Sequence, residues 1–196
     1  MNQITLWIAD IGNIIIEHCS IRNIVNGVKN NGMIETINHN GNLYPKFQSE
    51  GFASKFAFPF ANEVCKGVGY DVGCNRKEWC LPQSIPVDIM MGNGEYHALQ
   101  LPDMKVDFIF SSHMLEHVAN WVDVLDYWKT KLHPGGVLFL YLPHPSQSYW
   151  SPWHNRKHIH SFPPELIKQY LTDRGWKNIF VSGVDLNNSF MVMANT

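Results

Sequence analysis

Charge is scarce in this chain: 16% of its 196 residues are Asp, Glu, Lys or Arg, against roughly 25% in an average globular protein. Neither sign dominates. Fifteen basic and seventeen acidic residues give a formal net charge of −2 and a pI near 6.5. A chain with no bulk cationic field lacks the phosphate-neutralising surface of general duplex binding, so no nucleic-acid partner is expected. Paired cysteines are missing as well. Cys19, Cys65, Cys74 and Cys80 form no C-x-x-C pair, which excludes the zinc-finger patterns, and their scatter suits a reduced, cytoplasmic protein. Long apolar runs are absent too. The stretch Ile4 to Ile16 contains Asp10 and falls short of the roughly 20 apolar residues of a membrane helix. No basic region precedes it, so neither a spanning nor a secretory segment is expected. There is no internal repeat or low-complexity tract.

What is present is apolar and aromatic. Hydrophobic residues make up 45% of the chain and aromatics 13%, enough to bury a core and to exclude global disorder. The length suits one compact domain. Residues 3–30 mix apolar positions at uneven spacing and predict one or two short helices. Turn signals at Asn30-Asn31-Gly32 and Asn40-Gly41-Asn42 flank a weak strand at 33–37. After the aromatic segment 44–60, proline at its start and glycine past its end predict a short helix from about Pro59 to Cys65, stopped by Gly67. From Val68 onward, short apolar runs recur at 68–72, 85–89, 106–111, 136–142, 176–182 and 189–194. One helix between them begins at Asn120 with Asp123 as a capping-box-like start. It turns Val122, Leu125, Trp128 and Leu132 to one face, and stops at Pro134-Gly135-Gly136. A second covers Pro164 to Asp173 and ends at Gly175. Buried strands alternating with helices predict an α/β domain with a mostly parallel sheet.

Two acids stand where such a sheet presents ligands. Gly69-Tyr70-Asp71-Val72-Gly73-Cys74-Asn75 is an apolar strand with an acid near its end, followed at once by a glycine turn. Seventeen residues after Asp71, Val87-Asp88-Ile89 reads as a second strand with an acid at its tip, where a carboxylate can accept both hydroxyls of a ribose. The series Gly67, Gly69, Gly73 is not a nicotinamide fingerprint, because its first glycines precede or enter the strand rather than follow it.

These blocks continue through Leu101-Pro102-Asp103, the segment Val106 to Val118 with His113-Met114-Leu115-Glu116-His117 inside it, and Leu132-His133-Pro134-Gly135-Gly136-Val137-Leu138. Together they resemble a class I S-adenosylmethionine-dependent methyltransferase of the small-molecule type, with an H-x-L-E-H segment after the fourth strand. The likeness covers about residues 64–143. It implies a Rossmann-like, doubly wound α/β sheet of seven strands in the order 3-2-1-4-5-7-6, the last antiparallel. Residues 1–60 would form an N-terminal helical and aromatic extension to a methyltransferase domain at 61–196. It also implies S-adenosylmethionine as cofactor and S-adenosylhomocysteine as product. Asp71, Gly73, Cys74 and Asn75 would flank the methionine part, Asp88 with Ile89 the ribose, and His97, Ala98 and Leu99 the adenine. Ser111 and His113 would complete the cofactor contacts.

The chain departs from the family pattern in three places. Asn75 and Lys77 replace the second and third glycines of the usual loop, although asparagine tolerates the left-handed backbone that a turn requires. The helix between the two acid-bearing strands must be short, about Arg76 to Cys80. The adenine-side acid of the family is His97 here, with Glu95 as a substitute. An altered glycine loop keeps open a non-catalytic, cofactor-binding member of the family.

The segment 113–117 also matches H-x-x-E-H, the inverted zinc-protease pattern, with His113, Glu116 and His117 as its residues. That reading needs a regular helix, whereas the segment here directly follows a strand, so no metal is expected. His144, His154, His158 and His160 gather with Tyr149, Trp150 and Trp153 between residues 141 and 162, on the ligand-bearing edge of the sheet, and read as an acceptor lid. His154 and His158 have metal-ligand spacing on a helix, but Arg156 and Lys157 would crowd positive charge between them. A hydroxyl or amine acceptor needs a base with a pKa near neutral, which points to His113 or a lid histidine such as His158. The fourth strand ends in Ser111-Ser112-His113 rather than in an Asn/Asp-Pro-Pro-aromatic signature. A small metabolite, sugar or glycan-type acceptor is therefore expected.

Overall fold

The computed structural model describes residues 35–39, 41–89, 97–185 and 187–196. The helices expected in 3–30, and Glu95, lie outside these residues. The chain divides into two compact units, one up to Ser49 and one from Glu50. In the first, β1 (Thr36–His39) pairs antiparallel with β2 (Asn42–Pro45), and a single helical turn, α1 (Lys46–Ser49), follows. Gly41 takes φ +81 in the tight turn, where Asn38 Oδ1 accepts its N–H at 3.1 Å.

The second unit opens with α2 (Phe58–Val64), which has proline in its first turn. Then come β3 (Gly69–Val72), β4 (Ser84–Val87), β5 (Val106–Ser112), α3 (Trp121–Lys131), β6 (Leu132–Pro143), α4 (Pro164–Asp173), β7 (Lys177–Val181) and β8 (Ser189–Asn195). Each of the six apolar runs read from the sequence forms one of these strands. They make one sheet in the order β4-β3-β5-β6-β8-β7. The first four are parallel, and β8 runs antiparallel to both β6 and β7.

That order is the expected one without its outermost strand, so the expectation of seven strands is corrected to six among the described residues. The described part of the link from β4 to β5 is turn, not strand. Trp128 Nε1 donates to the Ala98 carbonyl at 2.8 Å and fixes that turn to α3. The β3–β4 connection is also shorter than a helix, a 3-10 turn at Lys77–Trp79. Asn120 makes no side-chain capping bond at the start of α3.

Successive side chains of a strand face opposite sides. Tyr70 and Val72 of β3 and Leu138, Leu140 and Leu142 of β6 meet Val124, Leu125 and Trp128 of α3 and Ile167 and Leu171 of α4 in one buried cluster. On the other face, Phe58 of α2 meets Phe110 at 6.0 Å between ring centroids, and Phe110 meets Phe139 at 5.5 Å. Helices on both faces leave the carboxyl ends of the parallel strands as the edge where a site can form.

Candidate active site

The carboxyl end of β3 carries the first cluster. Asp71 is buried, and its carboxylate accepts the Leu81 N–H at 2.7 Å. Burial pushes its pKa up to about 7, and the negative charge of Asp88 adds to the rise. Gly73 follows at φ +87 and donates its N–H to the Val87 carbonyl at 2.8 Å. A Cβ on Gly73 would stand 2.3 Å from Met114 Cγ, so the glycine lets the loop close against the segment that follows β5. Cys74 is buried. Asn75 adopts φ +62, a backbone that glycine usually supplies, and its N–H donates to Asp88 Oδ2 at 2.8 Å.

Because the folded pKa of Asp71 lies above its unfolded value, the folded state holds more protons than the unfolded state between about pH 4 and about pH 7. Stability therefore falls as pH rises through that window. Urea unfolding of wild type and Asp71→Asn at pH 5 and pH 7.5 checks this. The wild type should lose about 2 kcal/mol more than the variant across the interval, and parallel profiles would remove Asp71 from the account.

Asp88 sits one residue past the end of β4, adjacent to β3 in the parallel ladder. Ile89 beside it is 64% exposed, an apolar side chain turned to solvent. Of the residues expected to border an adenine, His97 is exposed, Leu99 is half-buried and Ala98 is buried under Trp128.

The second cluster stands at the ends of β5 and β6. Ser111 is buried and donates to the Val72 carbonyl at 2.8 Å, which clamps the tips of β3 and β5 together. Ser112 Oγ is buried with no hydrogen-bond partner. His113 takes φ +47, an uncommon backbone for a non-glycine residue. Its N–H donates to the Tyr141 carbonyl at 2.8 Å, and its Nε2 lies 2.9 Å from Ser189 Oγ. Tyr141 in turn donates its hydroxyl proton to Asp185 at 2.6 Å and accepts from Asn187 Nδ2 at 3.0 Å. Asp185, Asn187 and Ser189 were not legible as site residues, because no local motif marks the loop between β7 and β8.

Leu115–His117 forms a 3-10 turn, not the regular helix of a zinc protease. It places Glu116 in the interior, with neither carboxylate oxygen in a well-formed hydrogen bond. Three histidines surround that carboxylate. His113 Nδ1 and His158 Nε2 each lie 3.8 Å from Glu116 Oε1, and His117 Nε2 lies 4.0 Å from it. Burial lowers His113 to about 3 and His158 to about 4, so both are neutral at pH 7, and it raises Glu116 to about 8.

The expected lid forms a series of turns after β6. It begins where the His144 N–H donates to the Asn188 carbonyl, and it is held at its far end by the Glu116 carbonyl. That oxygen accepts the N–H groups of Ile159 at 2.9 Å and His160 at 3.1 Å. Trp150 stacks on His158 at 5.0 Å with an 11° interplanar angle, whereas His154 turns away and donates to the Ser148 carbonyl. The segment between His154 and His158 forms turns rather than a helix, so the helical spacing that Arg156 and Lys157 already argued against does not arise. A small recess of about 10 Å³, room for roughly one water molecule, lies in the lid, lined by His144, Gln147, Trp150 and His160 among others. Gln147 Oε1 is buried there without a hydrogen-bond partner.

Residues 50–181 match a family described as the methyltransferase domain. No curated protein sequence matches the chain. Among solved structures, it is similar to an S-adenosylmethionine-dependent methyltransferase from Archaeoglobus fulgidus, with a TM-score of 0.57 at 17% identity over 78% of this chain and 100% of the other. An S-adenosylmethionine-dependent methyltransferase from Thermotoga maritima superposes with a TM-score of 0.56 at 15% identity, over 76% of this chain and 96% of the other. The N-methyltransferase NodS from Bradyrhizobium japonicum, solved with S-adenosylhomocysteine, gives 0.53 at 14% identity over 76% and 87%. No helix among the described residues is long and apolar enough to cross a membrane.

Proposed function

The chain belongs to the methyltransferase-domain family, and on that premise we propose that it moves the methyl group of S-adenosylmethionine to an oxygen or nitrogen of a small metabolite, sugar or glycan-type acceptor. The observation that carries this reading is the meeting of two strand tips. The Gly73–Asn75 turn and Asp88 stand at the carboxyl ends of adjacent parallel strands, and the Asn75 N–H is fixed on the Asp88 carboxylate. The residues fit the cofactor. Gly73 lets the turn close tightly against Met114, and Ser112 Oγ is a buried polar atom in want of a partner at the end of β5.

The sulfonium of the bound cofactor supplies an already activated methyl group. The chain's own residues are left to bind, align and keep water out. Asp71 and the Gly73–Asn75 turn would take the methionine end, Asp88 and Ile89 the ribose, and His97, Ala98 and Leu99 the adenine. Cys74 and Ser111, both buried, would wall the crevice between these contacts. His113 is proposed to contact the acceptor: the loop holds its ring at a left-handed backbone position, beside Met114 at the Gly73 turn. His158 would support it through Glu116 from the lid side. Near-neutral charge and an aromatic, histidine-rich lid support an acceptor held by stacking and hydrogen bonds rather than by a phosphate-binding field.

Calorimetric titration of the full chain with S-adenosylhomocysteine tests the cofactor, with saturable one-to-one binding as the expected result and absence of heat overturning it. Transfer of labelled methyl from S-adenosylmethionine into metabolite and glycan fractions tests the acceptor class. Label found only in protein or nucleic acid would overturn that part.

A further inference from the structure

We propose that Glu116, His117 and His158 form a binding site for one divalent transition-metal cation of the zinc class. The site lies beyond the methyl-transfer reading and does not depend on it. One carboxylate oxygen and two imidazole nitrogens lie within 4.8 Å of one another here. Mixed imidazole and carboxylate donors are the set that suits zinc and its first-row neighbours, and two histidines with one glutamate make a three-ligand site with an open position. In an ideal zinc tetrahedron, neighbouring donors stand roughly 3.4 Å apart, given metal–ligand lengths near 2.1 Å. The 3.8 Å and 4.0 Å separations from Glu116 Oε1 to the two rings lie near that value.

Two further observations point to a cation. First, Glu116 is fully buried and both of its oxygens lack a well-formed hydrogen bond. A buried carboxyl group whose oxygens find no donor is a costly arrangement. Second, the histidine on the open side is already oriented as a ligand. His117 Nδ1 donates to the Lys157 carbonyl at 2.7 Å, which puts the proton on Nδ1 and leaves the Nε2 lone pair facing Glu116. A hydrogen bond from the far ring nitrogen to a carbonyl is how protein scaffolds fix metal-binding histidines.

The fourth position would be left to a water or an acceptor oxygen, or to His113, whose Nδ1 is 3.8 Å from the same carboxylate oxygen. This is not the zinc-protease arrangement, in which the glutamate is no ligand and both histidines come from one helix. Here the ligands come from two loops, so the cation would join the turn after β5 to the lid.

The experiment is calorimetric titration of the chelator-treated full chain with zinc chloride alone, repeated with cobalt to follow visible absorption. Wild type should take up one equivalent with micromolar or tighter affinity and give the intense bands of low-coordinate cobalt. Glu116→Gln and His117→Ala should each weaken uptake at least 100-fold and abolish those bands. His117 is partly exposed, so its variant serves if Glu116→Gln does not fold. Equal uptake by wild type and variants, or none by wild type, overturns the site. S-adenosylhomocysteine titration of the same samples keeps the two proposals apart, since its affinity should be unchanged in His117→Ala.

Discussion

Replacing Asp88 with alanine is expected to weaken S-adenosylhomocysteine binding about 100-fold, a loss of roughly 2.7 kcal/mol. Two effects add. In the proposed pose a ribose would present two hydroxyls to this carboxylate, and a hydrogen bond to a charged group contributes about 1.5–3 kcal/mol. The carboxylate also accepts the Asn75 N–H at 2.8 Å, so its removal frees the turn proposed to hold the methionine end. Asp88→Asn separates the two. The amide oxygen can still accept from Asn75 while the charge is gone, and an intermediate loss of about tenfold is expected. Calorimetry on the three proteins measures both steps. Equal affinity in wild type and Asp88→Ala would place the cofactor elsewhere.

The second large effect concerns stability. Gly69 begins β3 directly opposite Phe108 of β5, and a Cβ there would stand 2.3–2.4 Å from three carbons of the Phe108 ring. That ring is 1% exposed and cannot swing into solvent. The aromatic covers a glycine that would otherwise weaken its strand, a recurring device in sheets. Gly69→Ala should cost about 3 kcal/mol, at the upper end of overpacking penalties. In a domain of this size that corresponds to a fall of roughly 10 °C in Tm. A double variant, Gly69→Ala with Phe108→Leu, should recover part of the loss, because a smaller partner removes the clash. A single variant that melts within about a degree of wild type would refute the packing argument.

Much of the fold was legible because it rests on local signals. The six apolar runs became strands since each is short, continuous and bounded by turn residues, and Pro59 and Gly67 bracketed α2 by backbone chemistry alone. Asp71 and Asp88 stood out because strand ends are visible in sequence. Other features depend on geometry that no local pattern encodes. Asn120 looked like a helix cap, yet its φ of −105° and ψ of 48° keep it out of the extended conformation from which a cap side chain reaches the helix N–H groups. His113 finds Ser189 across 76 residues, and Glu116 meets His158 through a lid that has no regular structure. Of the outer strand expected from the resemblance, the described residues of the β4–β5 link show only a turn pinned by Trp128.

The manner in which the lid is held has a consequence for engineering. One end is held by His144 N–H on the Asn188 carbonyl and the other by the N–H groups of Ile159 and His160 on the Glu116 carbonyl. All three bonds are made by main chain, so any non-proline residue at those positions can form them. The intervening stretch is thus a cassette with sequence-independent attachment points. Grafts of altered length or composition between 152 and 156, which leave Gln147, Trp150, Lys157 and His158 in place, can vary the lid while the sheet stays as it is.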